Sequence, residues 1–189
     1  KKLNAATDRR KRRRALTAEE CRKLIAAAND GKPIEGMPGP DRAMLYRLAL
    51  DTGLRWNELR TLTRDSFALD AVPPTVTVKA GYSKHRREDV QPLRRETAEA
   101  MRAYLGDRLP DARAFPMPDR NAGAEMIAAD LAAAGVAVED DAGRVADFHA
   151  LRHTFITNLV NGGVLPKTAQ ALARHSSITL TMDRYTHLT

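Results

Sequence analysis

Phe148-His149-Ala150-Leu151-Arg152-His153-Thr154-Phe155-Ile156-Thr157-Asn158-Leu159-Val160-Asn161, followed by Gly162-Gly163, is the stretch on which the fold turns. Leu151, Phe155, Ile156, Leu159 and Val160 recur at helical spacing and the paired glycines end the pattern, which predicts a helix over 148–161. This apolar helix also carries the densest polar constellation in the chain. His149 and Arg152, three apart, share one face. His149 and His153, four apart, suggest zinc, but the glutamate that a zinc-protease helix sets beside its first histidine is missing: Ala150 and Leu151 stand there. No metal is expected. Taken alone, an Arg and a His on such a helix are more often structural than catalytic.

Working outward, Pro166 opens a helix running to about Arg174, and a short last helix presents Tyr185. Toward the N-terminus, Thr17-Ala18-Glu19-Glu20 has the form of a capping box, with Cys21, Leu24, Ile25 and Ala28 behind it, predicting a helix over about 17–29. Met44, Leu45, Leu48 and Ala49 mark a second helix that stops near Gly53. Between Phe67 and Leu93 the period changes to two, through Phe67, Leu69, Val72, Val76, Val78 and Val90, predicting a three-stranded antiparallel sheet. Helical spacing resumes at Thr97, Met101 and Leu105 and again from Met126 to Leu131. The expected class is mainly α with one small sheet.

The chain has 189 residues and 43% hydrophobic content, enough for one well-buried core. No apolar run reaches the roughly 20 residues that span a bilayer, and the start lacks a secretory signal, so a cytoplasmic protein is expected. The single Cys21 excludes an internal disulfide and reads as a small core residue. The formal charge of +7 points to a polyanionic partner, yet Lys1, Lys2, Arg9, Arg10, Lys11, Arg12, Arg13 and Arg14 against Asp8 supply all of it. Residues 1–14 therefore read as a basic linker or arm, solvated or touching DNA, and 15–189 as one electrically balanced domain.

Other polar residues stand in similar settings: Arg55 after a glycine helix stop, Lys84 at a strand turn, His175 after a helix, Tyr185 near the end. With His149 and Arg152 they supply two guanidiniums, an ammonium, two imidazoles and a phenol. A phenol of pKa about 10 is scarcely ionised at neutral pH, so a nucleophilic Tyr needs a base or a cationic pocket. Paired Arg forks supply the pocket, gripping two phosphate oxygens and strengthening as negative charge builds.

Thr52-Gly53-Leu54-Arg55-Trp56-Asn57-Glu58-Leu59, His149-Ala150-Leu151-Arg152-His153-Thr154-Phe155, and Ala173-Arg174-His175-Ser176-Ser177-Ile178 through Asp183-Arg184-Tyr185-Thr186-His187 resemble, in order, the three boxes of the tyrosine recombinases or phage integrases. The resemblance spans about Thr17 to Thr189. It implies a catalytic domain in which Arg55 and Arg152 clamp the scissile phosphate of double-stranded DNA, His175 adds a hydrogen bond, and Tyr185 attacks. It further implies that His149 helps accept the tyrosine proton, Lys84 protonates the departing 5′ oxygen, and Glu58 orients its neighbours. Lys79 is the other candidate for the lysine. The product is a 3′-phosphotyrosyl link whose rejoining needs neither ATP nor metal, and no cofactor is expected.

Arg86, Arg87, Arg12 and Arg13 are candidate DNA contacts. His153 and Trp56 read as packing residues, His85 and His187 as surface groups, and Arg94 and Arg95 as solvent-facing residues at a helix start. Two departures from the family pattern stand out: Arg174 where the family has Gly, and a longer interval from His175 to Tyr185. The family also carries an N-terminal DNA-clamping domain, and the chain starts in what resembles the linker, so the expectation is a fragment that binds DNA weakly with steep salt dependence and works with other protomers on DNA. Other readings are a catalytically silent DNA-binding regulator, a strand-relaxing topoisomerase with the same chemistry, and a structural RNA binder. The complete set of catalytic groups argues against the first, the wording of the boxes against the second, and the order Arg, His, Arg, His, Tyr against the third.

Overall fold

The computed structural model describes residues 12–81, 88–118 and 122–185. Lys84, His85, Arg86, Arg87 and His187 lie outside the described residues. The Thr17 hydroxyl accepts from the Glu20 amide at 3.1 Å, and the Glu20 carboxylate accepts from the Thr17 amide at 2.7 Å. This reciprocal cap starts α1 (Ala18–Asp30). Next comes α2 (Gly39–Thr52), buried on almost every side between α1, α4 (Arg95–Leu105) and α6 (Phe148–Asn161). A helix enclosed in this way needs apolar residues around its whole circumference, which Met44, Leu45, Leu48, Ala49 and Leu50 provide.

A buried polar network ties α2 to α5 (Ala122–Ala133). Arg42 donates from Nε and Nη2 to Asp130 at 2.8 and 2.9 Å, and its Nη1 donates to the Lys32 and Met37 carbonyls. The Tyr46 hydroxyl donates to the same carboxylate at 2.7 Å. Burial and the adjacent carboxylate push the Tyr46 phenol far above its ordinary pKa, so it stays a neutral donor.

After α2 come α3 (Trp56–Thr61), a 3-10 turn at Arg64–Ser66, and the strands β1 (Phe67–Ala68), β2 (Thr75–Val78) and β3 (Asp89–Pro92). The strands pair antiparallel in the order β1-β2-β3, with Val76 opposite both Phe67 and Gln91. The period-two reading holds on β2 but inverts on β3, where Asp89 and Gln91 face inward and Val90 faces solvent. The reason is a hydrogen bond. Gln91 Nε2 donates to the Leu172 carbonyl at 2.9 Å and the Thr52 carbonyl at 3.3 Å, joining the sheet to the end of α2 and to α7 (Pro166–Ala173). Val72 stands in a fully exposed loop rather than a strand.

The basic arm is anchored over its last residues instead of solvated. Val145 donates its amide to the Arg12 carbonyl at 2.8 Å, Arg14 donates to the Val145 carbonyl at 3.2 Å, and Arg13 donates from Nε to both Asp147 oxygens at 2.9 and 2.8 Å. Folded structure thus begins before residue 15, because these backbone groups find partners across the chain. Arg94 stands exposed at the start of α4, as expected, while its amide donates to Asp51 at 3.0 Å and its side chain pairs with the same buried carboxylate. Cys21 is half-buried against the core, which pushes its thiol up to about 11.

Asp130→Ala leaves the Arg42 charge buried without its counter-ion and is expected to destabilise the fold by about 3 kcal/mol or more. Urea unfolding followed by circular dichroism measures this, and an unchanged midpoint would refute it.

Candidate active site

Gly53 caps α2 with a left-handed backbone, φ 61°, and packs so closely on α6 that a Cβ there would lie 2.5 Å from Phe155 Cδ1. The chain turns sharply, buries Leu54, and brings Arg55 to the start of α3. Glu58, in the first turn of α3, reaches back. Its carboxylate accepts from the Arg55 amide at 2.8 Å and from Arg55 Nη1 at 2.9 Å, so backbone and guanidinium are held by one group. Glu58 is itself buried.

The second guanidinium comes from α6. Asp147 caps this helix by accepting from the Ala150 amide at 3.0 Å. Arg152, one turn further, is 3% exposed; its Nη1 donates to the Gly53 carbonyl at 2.6 Å and its Nη2 to the Ala173 carbonyl. Burial first, then repulsion by Arg55 and Arg174, lowers its pKa to about 9, against the pull of Glu58. It remains a cation at neutral pH, held where positive charge is already in excess.

A third guanidinium was not foreseen as part of this site. Arg174 ends α7 in the left-handed conformation, φ 52° and ψ 44°, which accounts for the glycine that the family pattern places there. Its side chain turns inward, 3% exposed, and Nη2 donates to Glu58 at 3.0 Å and to the Gly53 carbonyl at 3.2 Å. The departure from glycine was the available signal. Where the guanidinium goes depends on a partner 116 residues away.

Arg55, Trp56, Asn57, Asp147, His149 and Arg152 line one open cleft of about 300 Å³. Trp56 packs edge-on against Phe148 at 4.7 Å between ring centres. His149 stands at the cleft and is exposed to solvent. Desolvation, then the charges of Arg13 and Arg152, depress its pKa to about 4, so the imidazole is neutral and able to accept a proton. The repulsion is the firmer of these causes, since the ring keeps contact with water.

His175 follows the Arg174 turn, its amide donating to the Gln170 carbonyl at 3.1 Å. Its Nδ1 shares a hydrogen bond of 3.0 Å with Thr181 Oγ1 of α8 (Thr179–Tyr185). Tyr185 closes α8, and its hydroxyl donates to the Val164 carbonyl between α6 and α7. The structure therefore brings Arg55, Glu58, His149 and Arg152 together, ties His175 to the tyrosine's helix, and holds the phenol on a backbone carbonyl. Arg13 bonds Asp147 beside the cleft, and Arg12 is exposed. Among the described residues, no three His, Cys, Asp or Glu side chains gather in a way that could hold a metal ion, and no helix is long and apolar enough to cross a membrane.

Because the folded pKa of His149 lies below its ordinary value of 6.5, the unfolded chain takes up that proton more readily. Its contribution to stability is complete above pH about 6.5 and falls away as pH drops toward 4. His149→Gln is expected to flatten acid destabilisation in this window. An NMR titration should place the His149 midpoint well below 6.5, and a midpoint at the ordinary value would contradict the cationic setting described.

The family model described as the phage integrase family matches residues 14–189. The chain is 30% identical over 185 residues to tyrosine recombinase XerD of Caulobacter vibrioides, covering 93% of this chain and 57% of that protein. It is 29% identical to tyrosine recombinase XerA of Thermococcus kodakarensis, covering 93% and 58%. The chain thus spans less than two thirds of the length of these relatives. Among solved structures, the integrase of transposon Tn1549 in complex with transposon right end DNA superposes with a TM-score of 0.73 at 20% identity, covering 97% of this chain and 66% of that one. The catalytic domain of bacteriophage HP1 integrase gives 0.64 at 24% identity, covering 94% and 89%. These likenesses bear out the mainly helical class with its three-stranded antiparallel sheet. With a family model matched from the anchored arginines to the last residue, and the Arg55, His149 and Arg152 boxes meeting at one cleft, the chain belongs to the phage integrase family.

Proposed function

We propose that this chain cuts and rejoins double-stranded DNA through a covalent link to Tyr185, as part of a site-specific recombinase. The observation that carries the reading is the cleft itself: Arg55 and Arg152 are fixed by neighbouring acceptors around a buried carboxylate, beside the His149 imidazole. Like charges held this close are costly without an anion, and a phosphodiester supplies one. The planar forks suit its two non-bridging oxygens, and their attraction grows as the pentacoordinate transition state gains a second negative charge.

In the proposed step the Tyr185 oxygen attacks phosphorus as the bond from phosphorus to the 5′ oxygen breaks. The phenolic proton passes to His149, and the departing 5′ oxygen takes a proton from Lys84. His175 donates a further hydrogen bond to the phosphate. A 3′-phosphotyrosyl diester and a 5′ hydroxyl result, and attack by another 5′ hydroxyl reverses the step on a new strand. One phosphodiester replaces another at each stage, so rejoining needs no nucleotide hydrolysis. Tyr185 must first exchange the Val164 carbonyl for the phosphate, which makes movement of α8 part of the reaction. Arg12, Arg86 and Arg87 are assigned to the DNA backbone, while Arg13 serves Asp147. The protein acts inside the cell, in a DNA-bound assembly with other protomers. The Tn1549 integrase solved with its transposon DNA and the relatives called tyrosine recombinases support this reading.

The test uses a pool of nicked duplex oligonucleotides randomised around the nick, which traps the adduct by losing the short 5′ fragment. Denaturant-resistant complexes are expected with the wild-type chain, recovered as a peptide carrying Tyr185, and absent with Tyr185→Phe. Adducts that persist in the Phe variant, or none with the wild type, would overturn the proposal.

A further inference from the structure

Three guanidiniums and one carboxylate form a cluster at the cleft, and the proposed chemistry gives direct work to only two of the guanidiniums. Arg174 shares the Glu58 carboxylate with Arg55 and the Gly53 carbonyl with Arg152. It is thus linked through one acceptor to each phosphate-gripping side chain. Its presence opposes two ordinary preferences. A left-handed helix end favours glycine, and a guanidinium 3% exposed has lost most of its hydration. Glycine would make the same turn with neither cost. What arginine adds is a fixed donor to Glu58 and a positive charge close enough to Arg152 to repel it.

We propose that Arg174 is a positioning residue for DNA strand cleavage: its guanidinium locks the Glu58 carboxylate and the Gly53 carbonyl on which Arg55 and Arg152 are aligned, and its charge backs theirs against the scissile phosphate. The idea rests on the phosphotyrosyl reading above. Repulsion among the three cations is present in the free protein and is relieved in proportion to the negative charge that enters the cleft. A dianionic transition state relieves it more than a monoanionic ground state, so the benefit falls on the rate of cleavage more than on DNA affinity. The same left-handed turn sets the direction of His175, so backbone and side chain of one residue organise two parts of the site.

Single-turnover adduct formation on one nicked duplex selected from the randomised pool is measured for the wild type, Arg174→Met, Arg174→Lys and Arg174→Gly. Each is tested with an ordinary phosphodiester and with a neutral methylphosphonate at the scissile position. Arg174→Gly preserves the turn, so at least one neutral variant keeps the fold, which circular dichroism checks. Loss of an outer partner of a reacting group typically costs about 10- to 100-fold in activity, and a slowing of that size is expected for Met and Gly on the phosphodiester. DNA binding should change much less, Lys should recover part of the rate, and the deficit should shrink on the methylphosphonate, whose transition state carries one negative charge fewer. A purely structural role would slow both substrates alike. Equal slowing, or none, with the wild-type adduct intact overturns the role of Arg174 and leaves the cleavage reading standing. A wild-type chain that forms no adduct overturns the cleavage reading itself.

Discussion

Glu58 is buried where the guanidiniums of Arg55 and Arg174 converge, and its two oxygens accept from both side chains and from the Arg55 backbone. A carboxylate in that position has no water to fall back on, so its geometry is set by protein donors alone. Arg55 is held at the start of α3, and the end of α7 is held against the end of α2. The neighbouring Gly53 carbonyl performs the same service for Arg152 from α6. Three helix ends and one helix face therefore meet at two acceptors five residues apart in the chain.

The cluster explains why the cleft is suited to an anion. Each guanidinium is satisfied enough to be fixed, yet together they outnumber the carboxylate, and the low-dielectric surroundings keep that excess from being screened. Rigidity matters as much as charge, because preorganised donors need not rearrange when negative charge develops. His149 stays neutral in the same field. The same surplus of positive charge disfavours protonation of the imidazole beside it.

Tyr185 is arranged differently. It ends a seven-residue helix, is tied back through the hydrogen bond between His175 and Thr181, and rests its hydroxyl on the Val164 carbonyl. Within this short helix Thr181 is buried while Leu180 and Met182 are exposed, so few apolar contacts oppose its movement. The guanidinium cluster is the stiff part of the site, and Tyr185 belongs to a short helix tied to its surroundings by the His175–Thr181 and Tyr185–Val164 bonds.

Much of this was legible in the residues in order. The Thr17 capping box, the Gly53 stop, the apolar face of 148–161 and the proline opening 166 are local signals, and each element formed where its own backbone demanded. The meeting of Arg55, His149 and Arg152 at one cleft was expected from residue type and the order of their boxes, and the grouping of His175 and Tyr185 with them is part of the proposed function. The inward turn of Gln91, the anchoring of Arg12–Arg14 on Val145, the burial of Arg174 on Glu58 and the resting partner of Tyr185 were decided by the tertiary structure. Each is a bond between groups far apart in the chain, with donor and acceptor brought together by helix packing. Local periodicity says which face of a helix is buried, but which carbonyl or carboxylate awaits a buried donor is fixed only when the other helices arrive.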